Sequence, residues 1–368
     1  MISRLLIISN SIYNSGAENS LFLLMNSLVE KYDVLVILPE IAKLSQNLNG
    51  KFKMHRIRFL RLENHKNPVY ILFQFVRLLI ISIPLIKITR DHNTQLIYIN
   101  SSKSLFYGLV IKYFTSCKLI WHVRDNLKES FLWKICALQC DKILTVSDSV
   151  LGVNNFSKTK VRKVYTGVDP KNWLPCNAIN GSRYKQQIVL AQIGQITKWK
   201  NHMDFICMGK LLSEYYHNVH MLIVGDDLSG RERKYKNKLI RSVKELGLND
   251  KISFSGHCDN IKEVINEIDI LVHPAINEPF GRVLIEAMAM EKPVVAYNCG
   301  GPKEIIVNNE TGFLIEPFDY RALTIKTKEL IDNTDLRNSF GKAGRKRVIE
   351  YFNSERYIRE MEEVFNGI

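Results

Sequence analysis

The sequence predicts an α/β chain built from two doubly wound parallel sheets, and three observations carry that expectation. The chain has 368 residues, more than one domain of ordinary size holds. Short apolar runs rich in Ile, Leu and Val alternate with amphipathic stretches long enough for a helix, the pattern of buried parallel strands joined by crossover helices. The pattern then restarts after residues 170–185, a stretch holding Pro170, Pro175, Gly181 and several Asn.

Taken in order, the expected strands of the first half are 5–9, 34–38, 95–100, 118–123 and 143–147. The opening MISRLLIISNS is too short and too soon polar for a signal peptide and reads as the first of them. Residues 69–88 (VYILFQFVRLLIISIPLIKI) match a transmembrane span in length. Gln74, Arg77 and Lys87 interrupt the run, and Pro84 is expected to break it, so a buried or surface-lying helix is the reading adopted. In the second half the strands are 188–193, 221–224, 252–254, 270–272 and 294–297, with Gly194, Gly225 and Gly256 close behind three of them. Residues 347–365 (RVIEYFNSERYIREMEEVF) read as a final helix. The domains expected are 1–170, 171–346 and a terminal helical segment 347–368.

Hydrophobic residues make up 46% and charged residues 24%, which excludes a disordered, collagenous or coiled-coil chain. The net charge is +14, and residues 1–170, with 23 Lys+Arg against 11 Asp+Glu, hold +12 of it. An anionic partner facing the first half is therefore expected. The seven cysteines form no C-x-x-C, so neither a disulfide framework nor a zinc ribbon is suggested and a reducing cytoplasm is the simplest home. No D-x-D, G-x-x-x-x-G-K-[ST] or first-strand G-x-G-x-x-G occurs, which argues against a metal–diphosphate clamp, a P-loop and a dinucleotide fingerprint. No aromatic-rich RNA-binding motif accompanies the charge, so no nucleic acid is expected.

The stretch richest in chemistry is 269–316, DILVHPAINEPFGRVLIEAMAMEKPVVAYNCGGPKEIIVNNETGFLIEP. A strand ends at His273-Pro274, a loop follows, and a helix starts near Gly281. Glu278 stands at the end of that loop and Glu286 eight residues on, inside the helix. Between them Pro279-Phe280-Gly281 places backbone N–H groups at a helix N-terminus, where anions are favoured. Two carboxylates so spaced suit a ligand with hydroxyls at two places, such as a nucleotide sugar. A helix-capping Glu278 and a surface Glu286 are the bland alternatives.

Glu278 and Glu286 with E-P-F-G, E-A-M-A, P-V-V-A, G-G-P-x-E and T-G-F-L around them resemble the family 4 glycosyltransferases, whose hallmark is E-x7-E. Ser15-Gly16-Ala17-Glu18 looks like that family's Gly-rich loop, His122 ends the strand KLIWH, and Ser147 in LTVSDS and Gly167-Val168-Asp169 are also similar to family segments. GQITKWKNH, from Gly194 on, is similar to the family's phosphate motif, with Gln195 where an arginine is usual and Lys200 kept.

The resemblance implies the GT-B fold: two Rossmann-like domains facing across a cleft, the first binding the acceptor, the second the donor, and the terminal helix returning to the first. It implies a retaining transfer of a hexose from a nucleoside diphosphate sugar, with a UDP-sugar favoured over a GDP-sugar, to a hydroxyl of a saccharide acceptor. No cofactor is expected, and with no D-x-D in the sequence no metal is expected either. The family's roles carry over to Glu278 and His122 at the reacting sugar, and to Gly16, Gly194, Gln195, Lys200, Phe280, Gly281 and Glu286 around the donor. Ser147 reads better as structural, Gly16 is alternatively a tight turn, and Gly300-Gly301 is either a strand end or a second donor-side loop. Trp121, Trp133, Trp173 and Trp199 read as packing residues. A nucleotide-sugar epimerase and, given Gln195, an inactive binding subunit are the competing readings. The basic first half, with Lys51, Lys53, Arg56, Arg58, Arg61 and Lys66 before the apolar 69–88, adds an expected anionic membrane surface. The acceptor is then a lipid-linked saccharide of a cell-surface polysaccharide, and the enzyme is peripheral on the cytoplasmic face of the membrane.

Overall fold

The computed structural model describes residues 2–12, 15–40, 52–60, 67–151, 156–157, 159–175 and 187–368. The expected linker beyond 175 lies outside the described residues, as do Lys51, Arg61 and Lys66. The chain divides into two compact units, Met1–Tyr165 with Tyr357–Ile368, and Thr166–Arg356.

Unit 1 contains β1 (Arg4–Ile8), α1 (Gly16–Leu28), β2 (Asp33–Pro39), β3 (Lys53–Ile57), α2 (Pro68–Asp91), β4 (Leu96–Ile99), α3 (Leu105–Tyr113), β5 (Lys118–Val123), α4 (Phe131–Gln139), β6 (Lys142–Thr145), α5 (Asp148–Leu151) and β7 (Val161–Lys163). Its seven strands run parallel in the order β3-β2-β1-β4-β5-β6-β7. The apolar runs of β1, β4 and β5 are buried on both faces, as an all-parallel sheet requires. The sequence reading omitted β3 and β7. These edge strands are polar (KMHRI and VRK), so they lack the apolar run that betrays an interior strand.

Helix α1 starts on a serine N-cap: Ser15 accepts from the Ala17 N–H and gives its own hydroxyl proton to the Glu18 carboxylate one turn in. Leu21, Leu24, Met25 and Leu28 then face the sheet at helical spacing. Helix α2 runs unbroken through Pro84, contrary to the expected break. It is also not a buried helix. Leu78, Ser82, Leu85 and Thr89 form its one narrow buried stripe, while Val69, Leu72, Phe73, Phe75, Ile80 and Ile83 are each more than half exposed. Val69–Asp91 is long and apolar enough to cross a bilayer.

Unit 2 contains β8 (Ile188–Ile193), α6 (His202–Ser213), β9 (Val219–Val224), α7 (Arg233–Glu245), β10 (Ile252–Gly256), α8 (Ile261–Glu267), β11 (Ile270–His273), α9 (Arg282–Ala289), β12 (Val294–Tyr297), α10 (Pro302–Ile305), β13 (Gly312–Ile315), α11 (Tyr320–Asp332) and α12 (Thr334–Tyr351). Six parallel strands follow the order β10-β9-β8-β11-β12-β13.

The single terminal helix expected over 347–365 is two: α12 ends at Tyr351 and α13 (Ser354–Asn366) begins after a break. The reason is a backbone pairing. Val168 N–H donates to Phe352 O at 2.9 Å and Ser354 N–H to Val168 O at 2.8 Å, which holds Asn353 in a parallel bridge with Val168 between the two helices. Beyond the break, Tyr357, Met361, Val364 and Phe365 of α13 enter the core of unit 1 beside Leu5, Ile7 and Tyr98.

In both units the strand order reverses beside the first strand, between β1 and β4 and between β8 and β11. The carboxyl ends of the strands flanking such a reversal leave a crevice in which open α/β sheets bind ligands.

Candidate active site

In unit 2 the two flanking loops supply most of the residues singled out from sequence. Lys200 closes a short 3-10 turn after β8, and Glu278 lies in the loop after β11. The loops are tied by Ile276 N–H, which donates to Trp199 O at 2.7 Å. Gln192, buried in β8, fixes the turn by donating its side-chain amide to Lys200 O at 2.6 Å. Gly300 and Gly301, which follow β12, pack against the same loop. A Cβ on Gly300 would stand 2.2 Å from Glu278 O, and one on Gly301 2.3 Å from Phe280 Cα, so only glycine lets the two backbones meet. Gly301 N–H then donates to Glu278 O at 2.7 Å.

Within this frame Lys200 Nζ and Glu278 Oε2 are 2.5 Å apart, both side chains nearly buried. His273 Nε2 stands 3.0 Å from the same oxygen. Burial alone would raise the Glu278 pKa, but the Lys200 charge and the His273 bond outweigh it and bring it down to about 2. Burial and the Lys200 charge lower the His273 pKa, so the ring is neutral and donates its Nε2–H to the carboxylate. His202, the first residue of α6, is pushed down to about 3 by burial, then by Lys200 and His273. The result is one ionised carboxylate and one ammonium held where the sheet order reverses, with neutral imidazoles around them. Such a pair can offer an anion to hydroxyls and a cation to phosphates.

Glu286 lies inside α9, a helix buried from Leu284 to Ala289. Burial raises its pKa against the opposing charge of Arg282, whose Nε donates to Glu286 Oε1 at 2.7 Å. Arg282 Nη1 also donates to Gly167 O at 2.9 Å, so one guanidinium joins the carboxylate to the segment resembling G-V-D. The sequence reading missed Arg282. Its spacing of four from Glu286 on a helix was the available signal. Gly281 is the N-cap of α9, with no capping side chain; Phe280 just before it is buried, its ring edge-on to Phe352.

The remaining candidates fall differently. Gly194 directly follows β8, with the Lys200 side chain over it. Gln195 is exposed. Trp199 is not a packing residue: it is 41% exposed, with Lys200 Nζ 4.5 Å from its ring centre. Trp121 is buried and stacks on Trp133. Gly16 opens α1 and His122 lies buried in β5, both in unit 1, and the Ser147 hydroxyl lies 2.7 Å from that of Ser149 at the start of α5.

Residues 179–347 match the family described as Glycosyl transferases group 1. The matched segment contains Lys200, Glu278, Arg282 and Glu286. Over 178 residues the chain is 32% identical to the capsular polysaccharide biosynthesis glycosyltransferase CapM of Staphylococcus aureus, covering 48% of this chain and 46% of that protein. It is 29% identical to the N-acetyl-alpha-D-glucosaminyl L-malate synthase of Bacillus anthracis, covering 49% and 45%. The chain thus spans about half the length of the curated relatives it matches. Among solved structures, HepE of Anabaena, crystallised with UDP and glucose, superimposes with a TM-score of 0.85 at 19% identity over all of both chains. The fold is GT-B, with two Rossmann-like units.

Proposed function

We propose that this protein is a glycosyltransferase that moves a hexose from a nucleoside diphosphate sugar, a UDP-sugar by preference, to a hydroxyl of a lipid-linked saccharide, with retention and without a metal. The observation that carries the reading is the buried Lys200–Glu278 pair at the β8–β11 reversal, inside the segment that matches the glycosyltransferase family. HepE, the similar structure, holds UDP and glucose, which supports the choice of donor.

The chemistry follows from charge. As the diphosphate leaves it gains negative charge while the sugar becomes oxocarbenium-like, so cations and N–H groups aimed at the phosphates lower the barrier. Lys200 is the nearby ammonium, and it must exchange Glu278 for phosphate when the donor enters. Glu278, released from Lys200 but still held by His273, then takes sugar hydroxyls. Glu286 takes the ribose hydroxyls, oriented by Arg282. Metal independence rests on the absence of D-x-D from the sequence and on Lys200 as the neutralising charge.

The acceptor side of the proposal rests on unit 1. Helix α2 exposes a broad apolar face, and Lys53, Arg56 and Arg58 lie on and just after β3. Basic side chains beside an apolar surface favour anionic bilayers by about 1 kcal/mol each. The enzyme is accordingly peripheral on the cytoplasmic face of the membrane. The test is transfer of labelled sugar from UDP-glucose and other nucleotide sugars to lipid extract on anionic vesicles, with EDTA present. Label is expected in the lipid fraction, together with vesicle binding that fades as salt rises. Transfer that requires added Mn²⁺ overturns the phosphate site, and equal binding to neutral and anionic vesicles overturns the membrane claim.

A further inference from the structure

Unit 1 holds a cleft that the proposed donor chemistry does not use. Its volume is about 720 Å³, and it lies between α2 and the chain that runs on from β3. On the helix side the lining is one stripe, Tyr70, Phe73, Gln74, Arg77, Ile81 and Pro84, at the three- and four-residue steps of a single helix face. On the other side are residues 56–60. Arg56 lies in β3 and Arg58 just past its end, two apart, the spacing that puts side chains on one face of a strand.

The wall facing α2 is pinned. Leu60 N–H donates to the Tyr107 hydroxyl of α3 at 2.8 Å, and the Phe59 ring stands edge-on to the Tyr107 ring, 5.0 Å between centres. Tyr107 is buried, so this wall is fastened to the body of the unit.

The cleft is charged at its middle and apolar toward one end. Three guanidiniums, of Arg56, Arg58 and Arg77, line it against one carboxylate, Glu40, a balance of +2. Among the described residues none of the three arginines is in an ion pair. Arg56 Nη1 donates to the main-chain O of Glu40 at 3.3 Å, and the Arg77 guanidinium lies over the Phe73 ring, 5.5 Å from its centre. Lys53, at the start of the same strand, is by contrast paired with Asp33 at 3.2 Å. Guanidiniums free of carboxylates suit phosphate oxygens, which they meet two N–H groups at a time. Ile81 and Pro84, a turn or more beyond Arg77, are apolar, and the exposed Ile80 and Ile83 of the same helix widen the apolar surface at that end. The chemistry that matches both parts is a phosphate carried on an apolar chain.

We propose that this cleft receives the phosphate or diphosphate of the lipid-linked acceptor, with Arg56, Arg58 and Arg77 on the phosphate oxygens and the first part of the apolar chain against Ile81 and Pro84. The proposal rests on the reading of the acceptor as a lipid-linked saccharide. It adds a stoichiometric site to the general attraction between basic side chains and an anionic bilayer, which favours every anionic lipid alike.

The test is calorimetric titration of farnesyl diphosphate into the full chain in an uncharged detergent, with saturating UDP present so that a diphosphate site in unit 2 is already filled. One equivalent is expected to bind. Inorganic diphosphate and farnesol, the two halves of the probe, are each expected to bind at least about tenfold more weakly. Arg58→Gln and Arg77→Gln are each expected to weaken the probe about tenfold. Lys118→Gln, which removes the same charge at the start of β5, is expected to leave it unchanged. No binding in the presence of UDP, full affinity in the arginine variants, or an equal loss in Lys118→Gln overturns the site. Equal binding of inorganic diphosphate overturns its apolar part. Displacement of the probe by equimolar phosphatidylglycerol in the same detergent marks a general headgroup surface and overturns the assignment to the acceptor. Transfer of labelled sugar to lipid extract separates the cleft from the wider reading. Arg77→Gln is expected to raise the KM for the lipid and leave that for the donor unchanged. Transfer with an unchanged lipid KM overturns the cleft and leaves the lipid-linked acceptor standing. A wild type that labels no lipid overturns that acceptor and the cleft's assignment to it, while the titration still judges the cleft as a lipid-phosphate site.

Discussion

The two units share a strand order on both sides of the reversal, yet they equip that position differently. Unit 2 sets charges there: an ionised Glu278, the Lys200 ammonium, and Glu286 with Arg282. Unit 1 instead has a buried hydrogen-bonded group near the strand ends, His122 with Tyr98 and Arg124, and its Glu18 is held above the usual carboxylate range by burial. The difference suits the division of labour proposed. A leaving diphosphate needs charge compensation, whereas hydroxyls need only directed hydrogen bonds.

The sharpest way to break the comparison is to remove one charge from unit 2. Glu278→Ala leaves Lys200 buried without its partner, and a destabilisation of about 3–5 kcal/mol in denaturant melts is expected. The double variant Lys200→Met with Glu278→Gln removes both charges and should recover most of that stability. It should still fail to transfer sugar. A double variant that is both stable and active removes the pair from the mechanism.

Acid titration sharpens the contrast, because Glu278 of unit 2 and Glu18 of unit 1, both buried, are shifted in opposite directions. The folded-state pKa of Glu278 lies at about 2, below its ordinary 4.5. Its contribution is present above pH 4.5 and is lost as pH falls toward 2. The folded-state pKa of Glu18 is raised, so its contribution is present below its ordinary 4.5 and is lost as pH climbs through the higher folded value. Glu18→Gln is therefore expected to raise Tm at neutral pH and to lose that advantage in acid, while Glu278→Gln lowers Tm at neutral pH and costs less in acid. Parallel pH dependence of the two variants contradicts the contrast.

What the sequence disclosed follows the same division. Unit 2 was legible because its site is local: Glu278, Glu286 and their flanking glycines come from one continuous stretch, and Gly300 and Gly301 are fixed by close backbone approach. Unit 1 was legible as a fold, since β1, β4 and β5 are apolar runs, but only partly as a site. Its network joins Tyr98, His122, Arg124 and Tyr357, the last more than two hundred residues away, and no spacing rule reaches that far. The break at Phe352 and Asn353 was hidden for a related reason, because it is set by pairing with Val168. Pro84 misled in the other direction: a proline inside a helix is costly, yet α2 carries it.

A smaller effect is expected at Gln195, which is exposed beside Gly194. Gln195→Arg adds a charge next to the proposed phosphates and should tighten UDP binding by up to about tenfold, less than a buried ion pair gives. Unchanged affinity for UDP detaches this loop from the diphosphate.

The most direct test of a donor site in unit 2 is calorimetric titration of UDP-glucose into the wild-type protein and into Lys200→Met at neutral pH. The wild type is expected to bind one equivalent, and Lys200→Met to bind about tenfold more weakly or worse, since a charge-assisted contact to the diphosphate is lost. Equal affinities in the two proteins, or no binding of any nucleotide sugar by the wild type, would contradict the account.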